Sequence, residues 1–377
     1  MKKADTGPGN GILLRKLTYG VNGREILHDI SMEVPKGVFA GVLGANGAGK
    51  TTLLKCMIGM NRCAGEIRIC GRKREDCSEK EFARLISMMN QNTNLDFSFT
   101  CRQVVEFGRF PYWGRGIWYH RDDQAAIEAA MRETGTLELS DVPVTRISGG
   151  ERQRVLFAKI LAQNTQVILL DEPTANMDLY YQRQLFAFGR KLAAQGKTVL
   201  AAVHDLNLAL QYCERFYLLK DGRLLAQGTA EEAFRSEVMK QAYHLDTVIY
   251  QNPFFPQLEL TAAERTQELK NLRIHLLQYR GKNVREWMYR LWSRGAALST
   301  EPLPPDSLDA EAARIFGIPM LPPDQAEAQL AQACREGKKA VILSEDPKKT
   351  SELPGVLWYT VTEAEGAAGF EAFLGTI

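Results

Sequence analysis

The 377-residue sequence predicts an α/β fold in two parts, a large first unit and a smaller one behind it. Three observations predict it. A glycine-rich loop, Gly44-Ala45-Asn46-Gly47-Ala48-Gly49-Lys50-Thr51, stands between the apolar run Val38 to Leu43 and the helix-like Thr52-Leu53-Leu54-Lys55. Two more apolar runs, Val167 to Leu170 and Thr198 to Val203, end at Asp171-Glu172 and at His204, as buried parallel strands do when they present polar groups at their C-terminal edge. After about residue 250 strand-like and helix-like stretches alternate again, beyond a break at Asn252-Pro253-Phe254-Phe255-Pro256.

A strand, a tight turn and a helix start form the context that a phosphate-binding loop requires. Gly44, Gly47 and Gly49 let the backbone come close to a ligand and turn successive N–H groups toward phosphate oxygens. The helix that follows adds its positive end. Lys50 can reach β- and γ-phosphates as a point charge, the Thr51 hydroxyl suits Mg²⁺, and Asn46 and Thr52 complete the expected nucleotide contacts. The next strand-like run is Leu85 to Met89, just before Gln91. Further on, Ser148-x-x-Glu151 is a capping box that opens a helix over Arg152 to Gln163. The Gly149-Gly150 pair inside it exceeds what a cap needs and leaves the helix end open to a phosphate. At the strand end, Asp171 suits a place in a Mg²⁺ shell and Glu172 suits polarising an attacking water. His204 puts an imidazole at the same edge, whereas His28, His120, His244 and His275 read as structural.

In this order the motifs resemble the ATP-binding subunit of an ABC transporter over roughly residues 12 to 250. The resemblance implies a P-loop NTPase of the ABC ATPase type: a RecA-like α/β core, an antiparallel β subdomain and a helical subdomain. It implies ATP and Mg²⁺ as cofactors. Gln91 matches the glutamine whose loop meets Mg²⁺ and the transmembrane partner, and with Glu172 and His204 it makes up the expected catalytic set. Tyr19 lies where such proteins stack a ring on adenine, a contact worth about 1–3 kcal/mol. Ser148-Gly149-Gly150-Glu151 matches the family signature, which faces the γ-phosphate bound by the opposite subunit, and Ala175-Asn176-Met177-Asp178 matches the loop that crosses the dimer interface. Metal ligands are then Thr51, Gln91 and Asp171, and the nucleotide set gains Ser148, Gly150 and Asp178. Two departures stand out: Glu151 replaces the commoner glutamine, and Ile147 the commoner leucine.

The segment Leu95 to Thr100, followed by Val104 to Tyr112, is similar to the helical subdomain of importers for iron–siderophores, haem and cobalamin, where it receives a coupling helix from the permease. Its aromatics are interleaved with Arg109, Arg115 and Arg121, so core packing and base stacking are the other readings. Trp113 to Tyr119 reads as a loop tip. The resemblance thus implies a head-to-tail homodimer with ATP at its interface, two integral-membrane permease subunits, an indirect solute-binding protein and a place on the inner face of the cell membrane. The alternatives are a soluble ABC ATPase acting on ribosomes or DNA, and a P-loop kinase or GTPase. One phosphate loop and no sustained heptads argue against the first; a signature supplied in trans argues against the second.

With 45% hydrophobic and 24% charged residues, composition fits two cored domains, and no apolar run approaches the ~18 residues of a membrane span. The start, Met1-Lys2-Lys3-Ala4-Asp5-Thr6-Gly7, lacks a signal-peptide core, which points to the cytoplasm. A formal charge of +2 implies no nucleic-acid partner. Cys56, Cys63, Cys70 and Cys77 recur every seventh residue, but across a helix end, loops and a strand, so the repeat reads as accidental and all seven cysteines as reduced thiols.

The expected division is residues 1–252, a linker over 253–265, and an accessory α/β domain over 266–377. In the last, Leu272 to Leu277 reads as a strand, and Val284, Trp287, Met288, Leu291 and Trp292 mark an amphipathic helix. A strand near Ala297, helices at Ala310 to Phe316 and Gln325 to Glu336, and strands at Ala340 to Ser344 and Val356 to Val361 follow. The first turn, Tyr279-Arg280-Gly281-Lys282, has one glycine, weak evidence for a second ligand site.

Overall fold

The computed structural model describes residues 10–90, 98–113, 121–174, 177–251, 258–263, 266–277, 284–305, 307–344, 353–360 and 372–374. Gln91, Leu95 to Phe97, Arg115, His120, Ala175, Asn176, the Tyr279 to Lys282 turn and the whole Asn252 to Pro256 break lie outside them, as does most of the expected 113–119 loop tip. The chain forms two compact units, residues 1–244 with 251–259 and residues 245–250 with 260–377.

The first unit opens with the hairpin β1 (Asn10–Val21) and β2 (Arg24–Pro35). Asn22 and Gly23 both take positive φ at its tip, the two-residue turn that matches strand twist. β3 (Phe39–Leu43) leads through the glycine loop into α1 (Lys50–Met57), and β4 (Ala64–Ile69) and β5 (Arg72–Lys73) complete an antiparallel sheet of order β2-β1-β4-β5. After α2 (Glu79–Ala83), β6 (Ile86–Met89) is the far strand of the second sheet. The helices α3 (Cys101–Glu106), α4 (Arg121–Glu133) and α5 (Gly149–Gln163) pack on one another as a helical subdomain. β7 (Val167–Asp171), α6 (Leu179–Ala194), β8 (Thr198–Ala202), α7 (Leu206–Tyr212), β9 (Arg215–Lys220), β10 (Arg223–Gly228), α8 (Ala230–Ala233) and α9 (Ser236–Tyr243) follow.

The central sheet runs β10-β9-β3-β8-β7-β6, parallel throughout except for the β9–β10 hairpin. Every residue of β3, β7 and β8 is buried, which is why these strands read as unbroken apolar runs rather than alternating ones. A single core of Leu53 and Leu54 from α1, Val42, Leu169 and Leu200 from the central sheet, and Ile12, Leu17 and Ile30 from the hairpin joins the two sheets. The parallel order brings the C-terminal ends of β3, β7 and β8 to one edge. That edge carries the loop, Asp171-Glu172 and His204.

Within the stretch expected as a linker, residues 258–263 form β12 (Leu258–Ala263), which pairs with β11 (Asp246–Gln251). The second unit continues with β13 (Leu272–Leu277), α10 (Val284–Ser293), β14 (Ala297–Thr300), α11 (Leu308–Ile315), α12 (Pro323–Arg335), β15 (Lys339–Ser344) and β16 (Val356–Thr360). Its sheet is parallel, order β14-β13-β15-β16. Trp287, Met288 and Leu291 of α10 sit in the core with Ile274 and Leu276, and Trp292 packs against it.

Candidate functional site

The loop between β3 and α1 is built around positions only glycine satisfies. Gly44 has φ +148, and a Cβ there would stand 2.3 Å from the Leu219 carbonyl oxygen of β9. Gly49 has φ +103 and heads α1 without a side-chain cap, and the helix's first turn holds no acidic residue. The positive end of the helix is therefore left to an anion from outside. Ala45, Asn46 and Gly47 are exposed, and Thr51 and Thr52 are half-buried behind them.

Lys50 is only 5% exposed; its ammonium donates to the Gly44 carbonyl at 2.7 Å and the Ala45 carbonyl at 3.2 Å. Burial pushes its pKa below the usual lysine range, opposed by the nearby carboxylates of Glu172 and Asp171. Across the loop, the Thr51 hydroxyl donates to Asp171 Oδ1 at 2.8 Å, joining α1 to the end of β7. Burial raises the Asp171 pKa, the Thr51 bond opposes that rise, and the neighbouring Glu172 adds to it. Glu172 takes φ +47, donates its N–H to the Ala202 carbonyl at 3.2 Å, and meets His204 Nε2 through Oε1 in a very short contact. Lysine, hydroxyl, two carboxylates and imidazole are thus gathered at one edge.

Tyr19 pairs with Leu27 across the hairpin, and Leu27 Cδ2 lies 2.9 Å from where a Gly49 Cβ would be, so the ring stands on a strand flanking the loop. Ser148 and Glu151 form the expected box: Ser148 Oγ accepts from the Glu151 N–H at 3.3 Å, and Glu151 Oε2 accepts from the Ser148 N–H at 2.8 Å and its hydroxyl at 2.7 Å. Those bonds hold the Glu151 carboxyl below its usual pKa and account for an acid at this position. The helix starts at Gly149, three residues before the expected Arg152, because both glycines already have helical geometry. A Cβ at Gly150 would meet nothing within 4 Å. Asp178 caps α6, accepting from the Tyr181 N–H at 3.0 Å. Among the described residues no hydrogen bond ties Ser148, Gly150 or Asp178 to the phosphate loop.

Three features escape a reading of the sequence. Leu27 supports the loop from a distant strand. Arg109, for which core packing stood beside docking and base stacking, has partners that no local pattern names: it is 8% exposed, donates to Asp123 Oδ1 and to the Ala162 carbonyl, each at 2.7 Å, and stacks 3.9 Å from the Tyr112 ring centre. This guanidinium is core, so it offers nothing to a base. Finally, Cys56 and Cys63 line one cavity, so the first step of the seven-residue repeat does bring two cysteines to one place.

Residues 27–175 match the family model described as ABC transporter. The chain is 35% identical over 301 residues to the cobalamin import ATP-binding protein BtuD of Halobacterium salinarum, covering 79% of this chain and 75% of that one. It is 34% identical over 266 residues to the hemin import ATP-binding protein HmuV of Plesiomonas shigelloides, covering 66% and 100%. A solved chain of a metal-chelate type ABC transporter in an inward-facing conformation shares the fold, with TM-score 0.59 at 23% identity over 67% of this chain and 97% of that one. The dimeric ATP-binding cassette MJ0796 bound to ADP and Pi superposes with TM-score 0.52 at 26% identity, over 58% and 98%. With the phosphate loop, the paired carboxylates and the signature helix in one unit, the chain belongs to the ATP-binding proteins of ABC transporters, which bind ATP and hydrolyse it.

Proposed function

We propose that this chain is the ATPase subunit of an importer for a metal chelate, an iron–siderophore, haem or cobalamin. It works as a head-to-tail homodimer beneath two integral-membrane permease subunits on the cytoplasmic face of the membrane, with cargo delivered by a solute-binding protein. The relatives, import ATP-binding proteins for cobalamin, hemin and iron(3+)-hydroxamate, support the cargo class. The match to the cobalamin relative spans more of the chain than the first unit holds, so it extends into the second. No helix among the described residues is long and apolar enough to cross a membrane.

The observation that carries the dimer is Gly150. Nothing in the packing of the described residues requires a glycine there, and the residue sits in the first turn of a helix whose N-terminal end can meet an anion beside the Glu151 carboxylate. One chain then holds two half-sites: the loop, Lys50, Thr51, Asp171, Glu172 and His204 on one face, and Ser148, Gly150 and Asp178 offered to the partner's nucleotide. Lys50 exchanges its carbonyl partners for β- and γ-phosphate oxygens. Thr51 and Asp171, a hydroxyl and a carboxylate 2.8 Å apart, are hard oxygen donors that fit Mg²⁺. The ion would neutralise phosphate charge there, and Gln91 is assigned to the same shell by resemblance. Glu172 takes the proton of the attacking water, and His204 holds its carboxylate in place.

The permease is proposed to dock on the helical subdomain. Phe99, Phe107, Phe110 and Trp113 form a chain of ring contacts at 5.0, 5.1 and 4.5 Å, with Phe110 47% exposed at its surface.

Glu172→Gln tests the reading. It removes the base but keeps size and hydrogen bonding, so hydrolysis should fall by about 10²–10⁴ while nucleotide binding survives. Incubated with ATP, the full-length variant should elute as a dimer holding two nucleotides, where the wild type shows that dimer only transiently. A variant that hydrolyses at the wild-type rate, or binds ATP and stays monomeric, would sink the assignment.

A further inference from the structure

α1 ends in a turn that folds the chain back on itself. Gly59 takes φ +83, its N–H donates to the Cys56 carbonyl at 3.0 Å, and the Met60 N–H donates to the Lys55 carbonyl at 2.9 Å. These are the two bonds of a Schellman cap, and they reverse the backbone within a few residues. Cys63 is thereby brought back toward Cys56, and the two side chains line the same cavity. Cys56 is buried in the core that joins the sheets, while Cys63 is half-exposed. Both line one cavity of about 700 Å³, whose wall also carries Arg62, Lys73 and Arg74 against Glu66 and Glu75. The arrangement pairs an accessible thiol with an inaccessible one and puts an excess of positive charge around them.

We propose that Cys56 and Cys63 are a redox-modifiable dithiol that closes to a disulfide when an anionic small-molecule disulfide enters this cavity, with Cys63 attacking and Cys56 resolving. The Cys63 thiolate attacks one sulfur of the reagent; the reagent's S–S bond breaks and a thiolate leaves with the electron pair. Cys56 then attacks the Cys63 sulfur of the mixed disulfide, its proton goes to the second departing thiol, and the Cys56–Cys63 bond forms. Two protein thiols are oxidised and one reagent disulfide is reduced to two thiols. Cys56 holds the Cys63 thiol down at about 7 against the opposing effect of burial, and Cys63 in turn raises Cys56. The roles follow, since the thiolate is the nucleophile. Closure brings the two sulfurs to a bond of about 2.05 Å. Elsewhere in the first unit Cys70, Cys101 and Cys213 have thiols raised by burial, so they compete poorly. The site lies six residues along α1 from Lys50, on the helix that holds the phosphate loop.

The test is the full-length reduced protein treated at pH 7 with glutathione disulfide, quenched, alkylated and mapped by peptide mass. The expected product is a Cys56–Cys63 crosslink, lighter by two hydrogens and reversed by dithiothreitol, with Cys63 alkylated at least about tenfold faster than Cys70 in the untreated protein. Cys56→Ala should stop at a stable glutathione adduct on Cys63, and Cys63→Ser should leave Cys56 unmodified. A stable wild-type adduct on Cys63, a crosslink between other cysteines, or no reaction at Cys63 would each overturn the proposal. The wild-type mapping decides it even where a variant folds poorly.

Discussion

Gly150→Asp separates a glycine that the fold needs from one that a ligand needs. The position is the second residue of α5, its φ is not positive, and a Cβ there meets nothing within 4 Å. The new side chain therefore faces neither a clash nor backbone strain. A carboxylate in the first turn of a helix gains about 0.3–1 kcal/mol from the dipole, and losing a helical glycine removes some unfolded-state entropy. The isolated chain should keep its melting temperature or gain slightly. Against a partner's γ-phosphate the same carboxylate becomes a like charge: at about 4 Å and an effective dielectric near 20, each unit charge costs about 4 kcal/mol, roughly a thousandfold in association. The assay combines thermal unfolding, binding of a fluorescent ATP analogue to the monomer, and ATP-dependent dimer formation in a Glu172→Gln background. Stability and monomer binding should hold while the dimer disappears. An intact dimer would remove the half-site, and a melting temperature lowered by more than about 4 °C, the scale of 1 kcal/mol in a unit this size, would show that the fold required the glycine after all.

Three further outcomes are expected. Lys50→Ala should abolish tight ATP binding, since it removes the cation beneath the loop; affinity within about threefold of wild type by equilibrium dialysis would exclude the phosphate role. Arg109→Ala should destabilise the first unit by about 3–5 kcal/mol, because Asp123, 2% exposed, stays buried without its guanidinium; an unfolding curve shifted by less than 1 kcal/mol would place the pair outside the core. His275 is 2% exposed and bonded to Ser299 Oγ at 3.0 Å, with no hydrogen-bond partner for Nε2 among the described residues, and burial pushes its pKa from 6.5 to about 4. The unfolded chain takes up that proton first, so stability of the second unit is complete above pH 6.5 and falls as pH drops toward 4, by about 3 kcal/mol in all; His275→Gln should flatten the dependence, and an unchanged slope would assign it to other groups.

What the sequence made legible was local. The phosphate loop is read from contiguous residues, and β3, β7 and β8 from runs too apolar for a half-exposed strand. The cap of α5 is read from Ser148 and Glu151, three residues apart, and α10 from Trp287, Met288 and Leu291 at helical spacing. What stayed hidden depends on partners far along the chain. For an arginine among aromatics, core packing is one of several readings until Asp123 and the Ala162 carbonyl enclose it. Two cysteines seven apart read as unrelated until the Gly59 turn reverses the backbone, since periodicity assumes a helix that has already ended. β12 hides because a proline-rich break suggests a linker, while its pairing with β11 is non-local.

The two carboxylates at the end of β7 show how one strand end can hold opposite environments. Successive residues of a strand point to opposite faces, so Asp171 and Glu172 would diverge if the strand simply continued. Asp171, the last strand residue, is 2% exposed and fixed by the Thr51 hydroxyl. Glu172 has left β geometry: at φ +47 it occupies a left-handed conformation that a non-glycine residue adopts at a cost of about 1–3 kcal/mol. Its N–H bond to the Ala202 carbonyl of β8 offsets part of that cost, and the turn carries its carboxylate to His204. In the proposed function, the relaxed, enclosed acid serves as an oxygen ligand to the metal and the strained, more open one faces water. That division follows from accessibility, because a base must be reached by the water it deprotonates, whereas a metal ligand gains from being held still. A glycine at 172 would relieve the backbone but leave nothing to abstract the proton. The strain at this position is therefore tied to the carboxylate itself rather than to the turn.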